Sequence, residues 1–306
     1  MSHDHPAHAH HHHEAADFSR AFAIGIALNL TYVAAEAGYG LAAGSLALLA
    51  DAGHNLGDVL ALGLSWGAAL LGRRGPNSRF TYGFGSTSIL AALANALILM
   101  VVTGGIAWEA IWRLSHPVAV NGGPIAVVAA IGIAVNGVTA LLFAGGRGRD
   151  LNLRSAFLHM AADALIALGV VVAGIAIVLT GWLWLDPAIG LVVSATIVYG
   201  SWGLVKQATR LALDAVPQSV DADAVRAHLL AMPGVTAIHD LHIWGMSTTE
   251  TALTCHLVMP AGHPGDDTLV HIAHDLEEQF HIHHTTLQIE LGDSAEQCAL
   301  TPEHVV

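Results

Sequence analysis

The sequence predicts a six-helix membrane bundle followed by a small α+β domain. Three observations carry this prediction. Of 306 residues, 54% are hydrophobic and only 11% are charged. Soluble domains carry about 25% charged residues, and a deficit this deep suits lipid, where ionised groups are costly. Second, six apolar stretches lie at roughly 18–41, 45–71, 86–112, 124–144, 155–180 and 187–208, and a bilayer core of about 30 Å takes ~20 such residues as a helix. Third, after Leu211 the long apolar runs give way to short segments with period-2 and helical patterning.

Residues 1–17 read MSHDHPAHAHHHHEAAD. The segment has neither an apolar core nor a basic flank, so it is not expected to be a cleaved signal peptide. Its composition predicts a disordered, cytosolic, His-rich tail able to hold metal loosely. An expression tag is the bland alternative, against which Asp4, Pro6 and Ala9 interrupt the histidines. The six spans of residues 18–208 follow, separated by short polar breaks, with Trp182 and Trp184 suited to an interface.

Arginine and lysine orient the bundle. Arg20 stands at the head of the first span. Arg73, Arg74 and Arg79 separate spans two and three, and Arg147, Arg149 and Arg154 separate four and five. Lys206 and Arg210 close span six, and only Arg113 falls on the opposite side. The positive-inside rule then places both termini in the cytosol. The expected location is multi-pass, in a bacterial inner membrane.

Residues 209–292 read as a cytosolic domain. DADAVRAHLLAM is a helix with Asp221 near its cap, VTAIHDLHIWGM and ETALTCHLVMP are strands, PGDDTLVHIAHDLEEQF is a second helix and TTLQIEL a last strand. A leading strand at LALDAVP is left open, so three or four strands and two helices make a small α+β sandwich. Leu287, Ile289 and Leu291 form one face of the last strand, Gln288 and Glu290 the other. His256 alternates with Cys255 and Leu257 and is expected to project away from the core. Residues 293–306 form a tail in which the lone thiol of Cys298 is assigned no role.

Two spans carry the same ionisable pattern. His54 and Asp58 in DAGHNLGD, and His159 and Asp163 in HMAAD, are each spaced i,i+4. That spacing puts both side chains on one helical face, one turn apart. Two imidazoles and two carboxylates make a tetrahedral shell suited to zinc. A single ionisable residue in a span could be a hydrogen-bonded packing element, but the cost of roughly 2.5–3.5 kcal/mol per residue makes its duplication hard to explain that way. Asp51 is less secure as a ligand and is expected near the outer mouth. For Asn29, Glu36 and Asn136, helix–helix hydrogen bonding serves at least as well as metal binding.

Beyond the tail, nearly the whole chain resembles the cation diffusion facilitator family, of zinc-transporting type. The stretches that carry the resemblance are SLALLADAGHNLGDVLAL, RFTYGFGSTSILAALANALIL, EAIWRLSHPVAV, HMAAD, GVTAIHDLHIWGMST and LTCHLVMP. The resemblance implies a homodimer, six membrane helices per protomer and a ferredoxin-like cytosolic domain. It implies export of Zn²⁺, with Cd²⁺ as a second substrate, by proton antiport, with the transport site at His54, Asp58, His159 and Asp163. It also implies cytosolic zinc of a regulatory kind, on His239, His256, His271, His283 and Glu290. A further family site in the linker GRRGPNSRFTYG is expected to be absent, because that stretch has no His, Cys, Asp or Glu.

A net charge of −13 argues against nucleic acid as a partner, and two cysteines cannot build a disulfide framework. The expected partners are divalent ions, protons, the bilayer and a second copy. Two rival classes stand beside the transporter: an intramembrane metalloenzyme, and a passive channel or metal sensor. The first needs an open coordination position and a separate base, and no His-Glu-x-x-His occurs.

Overall fold

The structure is a computed structural model that describes residues 16–72, 74–144 and 151–292. The His-rich stretch up to residue 15, Arg73, Arg147, Arg149, Cys298 and the tail from 293 lie outside the described residues. Six long helices come first: α1 (Ala16–Ala43), α2 (Leu46–Gly72), α3 (Thr87–Ser115), α4 (Gly122–Ala144), α5 (Leu151–Thr180) and α6 (Leu185–Ala212). They run 23 to 30 residues, or about 35–45 Å at 1.5 Å per residue. Among the described residues, four segments are long and apolar enough to cross a membrane: Thr87–Ser115, Gly122–Leu141, Phe157–Thr180 and Leu185–Ala212. The bounds agree with the sequence to within a few residues.

The chain divides into two compact units. One holds the residues up to Val59 with Val101–Val198, the other Leu60–Met100 with Tyr199 onward. In the first unit, α4 and α5 pack closely because glycine lets their backbones approach. A Cβ at Gly122 would collide with the Gly174 carbonyl, and one at Gly174 would meet Ala126 N at 2.8 Å. Small residues serve this purpose where lipid supplies no hydrophobic drive between helices. Tyr32, Leu48, Ile125, Val128, Ala129 and Val170 form the buried cluster of this unit.

The second unit contains α7 (Ala222–Leu230), β1 (Ala237–Gly245), β2 (Thr251–Val258), α8 (Asp266–Phe280) and β3 (His284–Glu290). Asp221 caps α7, its carboxylate accepting from Asp223 N at 3.0 Å and Ala224 N at 3.1 Å. The sheet order is β1-β2-β3, with β1 and β2 antiparallel and β2 and β3 parallel. The parallel pair needs a crossover, and α8 supplies it. Val225, Leu229, Ile272 and Leu276 of the helices meet Leu253, Cys255 and Leu257 of β2 in one core. The leading strand left open at 211–217 does not form. Helix α6 continues through Ala212 and a turn follows, so the observed order is α-β-β-α-β.

Candidate metal centres

The i,i+4 pairs of α2 and α5 meet. Ligand atoms of His54, Asp58, His159 and Asp163 all lie within 4.8 Å of one another. Each imidazole reaches across to the carboxylate of the other helix. His54 Nε2 is 3.2 Å from Asp163 Oδ1, and His159 Nε2 is 2.9 Å from Asp58 Oδ2. The contacts within each helix are longer, 4.0 Å for His54–Asp58 and 3.7 Å for His159–Asp163. The two rings stand edge to face at 5.7 Å.

Exposure is uneven around the cluster. The Asp163 side chain is 2% exposed and that of His54 16%, whereas Asp58 and His159 reach 38% and 43%. Among the described residues, none hydrogen-bonds to the buried Oδ2 of Asp163 or Nδ1 of His54. A buried carboxylate oxygen left without a donor is costly, and a cation among these ligands would remove the penalty.

The start of α2 is fixed from α6. The Asp186 carboxylate, 1% exposed, accepts from the Ser45 hydroxyl and from Leu46 N at 2.8 Å and Ala47 N at 3.4 Å. These are the free N–H groups that open any helix. The capping carboxylate therefore sets where α2, and with it His54 and Asp58, begins.

The other polar residues of the spans fall differently. Asp51, expected near an outer mouth, is 1% exposed and lies in the second turn of α2. Glu36 accepts from Tyr32 Oη at 2.8 Å and from Asn55 Nδ2 at 3.3 Å, the second bond joining α1 to α2 as expected. Asn136 is buried, and among the described residues none bonds to either of its side-chain polar atoms.

In the C-terminal unit, His239, His256 and Glu290 come together within the same 4.8 Å limit. Glu290 bridges the two imidazoles, Oε2 at 2.9 Å from His239 Nε2 and Oε1 at 3.0 Å from His256 Nδ1. Strand register brings this about, since His239 of β1 pairs with His256 of β2, and Glu290 lies on β3 alongside. Burial pushes the Glu290 carboxyl up, but the hydrogen bond and charge of His239, the Gln288 amide and the charge of His256 hold it below the ordinary carboxylate range. His271, with a side chain 74% exposed, sits beside Asp275 at 3.9 Å. The exposed His283 accepts from Thr251 N at 3.4 Å. Neither joins the cluster.

Sequence reasoning missed Asp240 and His242. Asp240 adopts a left-handed φ of 51° where the β1–β2 register breaks between His239 and His242. This bulge lets one carboxylate reach His242 Nε2 at 2.8 Å and His256 Nε2 at 3.4 Å. The signal was present in the His-Asp-x-His spacing of HDLH, but period-2 alternation alone places Asp240 on the opposite face.

Comparison with known proteins adds independent findings. Residues 22–211 match the family model of the cation efflux transmembrane domain, and 217–291 that of the cation efflux protein cytoplasmic domain. The chain is 35% identical over 292 residues to the metal cation efflux system protein CzcD of Cupriavidus metallidurans, covering 95% of this chain and 90% of that protein. It is 37% identical over 253 residues to the zinc transporter ZitB of Escherichia coli, covering 82% and 80%. It is 32% identical over 286 residues to the cadmium, cobalt and zinc/H(+)-K(+) antiporter of Bacillus subtilis, covering 92% and 91%.

Proposed function

The chain belongs to the cation efflux family, and on that premise we propose that it exports Zn²⁺ from the cytosol in exchange for protons. The family is one of transporters, so the metalloenzyme alternative falls. The observation that carries the proposal is the crossed His₂Asp₂ cluster between α2 and α5. Two imidazoles and two carboxylates suit a tetrahedral borderline ion, whereas hard ions prefer all-oxygen shells. Zinc is the transported ion named for ZitB, with cadmium and cobalt beside it for the Bacillus subtilis relative.

The same four groups couple the ion to protons. Metal binding needs neutral imidazole and ionised carboxylate, so zinc and protons compete for one site. Facing the cytosol, the cluster takes up zinc and sheds protons. Rocking of the helices then exposes it outward. Protonation of His54 and His159 releases the ion there, and the protonated site returns. Imidazole suits this exchange because its ordinary pKa is about 6.5.

The assembly is a homodimer with six spans per protomer, a ferredoxin-like cytosolic domain lacking its first strand and both termini in the cytosol. His239, His256 and Glu290 hold regulatory zinc in that domain. Asp240 orients His256, as carboxylates do behind metal-bound imidazoles.

Proteoliposomes with an imposed pH gradient test the exchange. Zinc accumulates in the acidic compartment against its own gradient, and accumulation stops when an ionophore collapses the pH difference. Simple equilibration of zinc, indifferent to pH, is the behaviour of a passive channel and contradicts antiport.

A further inference from the structure

One buried carboxylate pair is not used by the metal cluster. Glu36 on α1 and Asp51 on α2 are 0% and 1% exposed. They face each other within hydrogen-bonding reach. Tyr32 and Asn55 both donate to Glu36. Neither oxygen of Asp51 receives a hydrogen from any described donor.

Two ionised carboxylates cannot share a buried site without a positive charge between them. The titratable groups acting on the pair are Tyr32 from α1, His54 from α2 and Asp163 from α5. Helix α4, packed against α1, brings no titratable residue. No described lysine or arginine acts on either carboxylate. A single proton shared between the two carboxyl groups satisfies both at once and gives Asp51 the partner that no described donor supplies. A hard metal ion is a poorer occupant, because it needs several free oxygen lone pairs and both Glu36 oxygens already receive donors.

We propose that Glu36 and Asp51 form a proton-binding site, separate from the four metal ligands, that holds one proton in the metal-free protein and releases it when a divalent ion enters the His54–Asp58–His159–Asp163 cluster. The release half rests on the transport-site reading above. Asp51 stands one turn before His54 on α2 and feels the charges of both His54 and Asp163. A divalent cation at that cluster favours ionised neighbours. The O–H bond of the carboxyl that holds the shared proton breaks, the proton leaves to water and the bonding electron pair stays on the carboxylate. Each zinc entering then displaces one proton beyond those of its own ligands.

Infrared spectroscopy of the full chain in lipid at neutral pH tests both halves. The metal-free protein shows a protonated-carboxyl carbonyl band that shifts in heavy water. The band is lost in Asp51→Asn and in Glu36→Gln and persists in His54→Ala. Zinc removes it from the unaltered protein but not from His54→Ala. Zinc titration in two buffers of different ionisation heat then shows about one proton fewer released per zinc in Asp51→Asn. If Asp51→Asn does not fold, Glu36→Gln gives the same readings. Absence of the band, or its survival in both carboxamide variants, overturns the proposal. So does loss of the band on adding sodium or potassium at fixed pH, which assigns a hard-cation site. A band that obeys the variants in a protein that binds no zinc upholds the proton pair and sinks the transport-site reading instead.

Discussion

In the helical unit, the four clustered side chains come from two helices, each helix giving a His and an Asp one turn apart. In the C-terminal unit, three clustered side chains come from three different strands and one more carboxylate stands on a bulge. The first cluster is built from local periodicity repeated twice, with each imidazole bonded to the other helix's carboxylate. The second depends on register between segments up to 51 residues apart. Helical repetition makes a cluster whose closure depends on how two helices lie against each other. Strand register makes a site whose integrity reports on the packing of the whole sheet. The contrast suits a site that passes its ion on and a site that keeps it.

The largest expected effect lies in the helices. Replacing Asp163 or His54 by alanine removes a ligand from the buried side of the cluster, and zinc export falls to the level of empty vesicles while the protein stays folded in the membrane. Wild-type flux at matched expression in either variant would take that residue out of the site. His54→Asp is a finer probe. It exchanges imidazole for carboxylate and retains some zinc transport, but loses discrimination against manganese. An active His54→Asp protein with an unchanged manganese inhibition constant would mean that helix packing, not ligand type, sets selectivity.

Effects in the C-terminal unit are smaller and distinct in kind. Asp240→Ala frees the His256 ring and weakens cytosolic zinc by roughly 10–100-fold, while export is reduced, not abolished. Equal loss in transport and in cytosolic binding would erase the distinction between the two clusters. Acid gives a further difference. The Glu290 carboxyl is held below its ordinary range, so the stability it adds is present above an unfolded pKa of about 4.3. That stability is lost as pH falls through the lower folded value. Glu290→Gln should therefore flatten the acid limb of the domain's melting curve, and an unchanged limb would show that the bridge to the histidines is not made. The smallest effect concerns Cys255, 1% exposed, its thiol pushed up to about 12 by burial. Alkylating reagents at pH 8 should leave it unmodified in the folded chain and label it only on unfolding.

The same contrast explains what was legible in the sequence. The six long helices and the His-x-x-x-Asp pairs follow from periodicity within a single helix, which needs no knowledge of neighbours. The encounter of His239, His256 and Glu290 was reachable through alternation plus the family resemblance. Asp240 was not, because a bulge reverses the face that alternation assigns it. The strand expected as an option at 211–217 failed because α6 runs on through Ala212. The burial of Asp51 was not legible, since it is decided by tertiary packing and not by the pattern within α2.

X-ray absorption at the zinc edge, in lipid, on the chain with His239, Glu290 and the histidines of residues 1–13 all replaced by alanine, tests the intramembrane site most directly. One zinc per protomer should remain, with four nitrogen and oxygen ligands at about 2.0–2.2 Å, two of them imidazoles. Asp163→Ala in the same background should abolish it. A six-coordinate shell of oxygens, or zinc binding that survives Asp163→Ala unchanged, would contradict a transport site at His54, Asp58, His159 and Asp163.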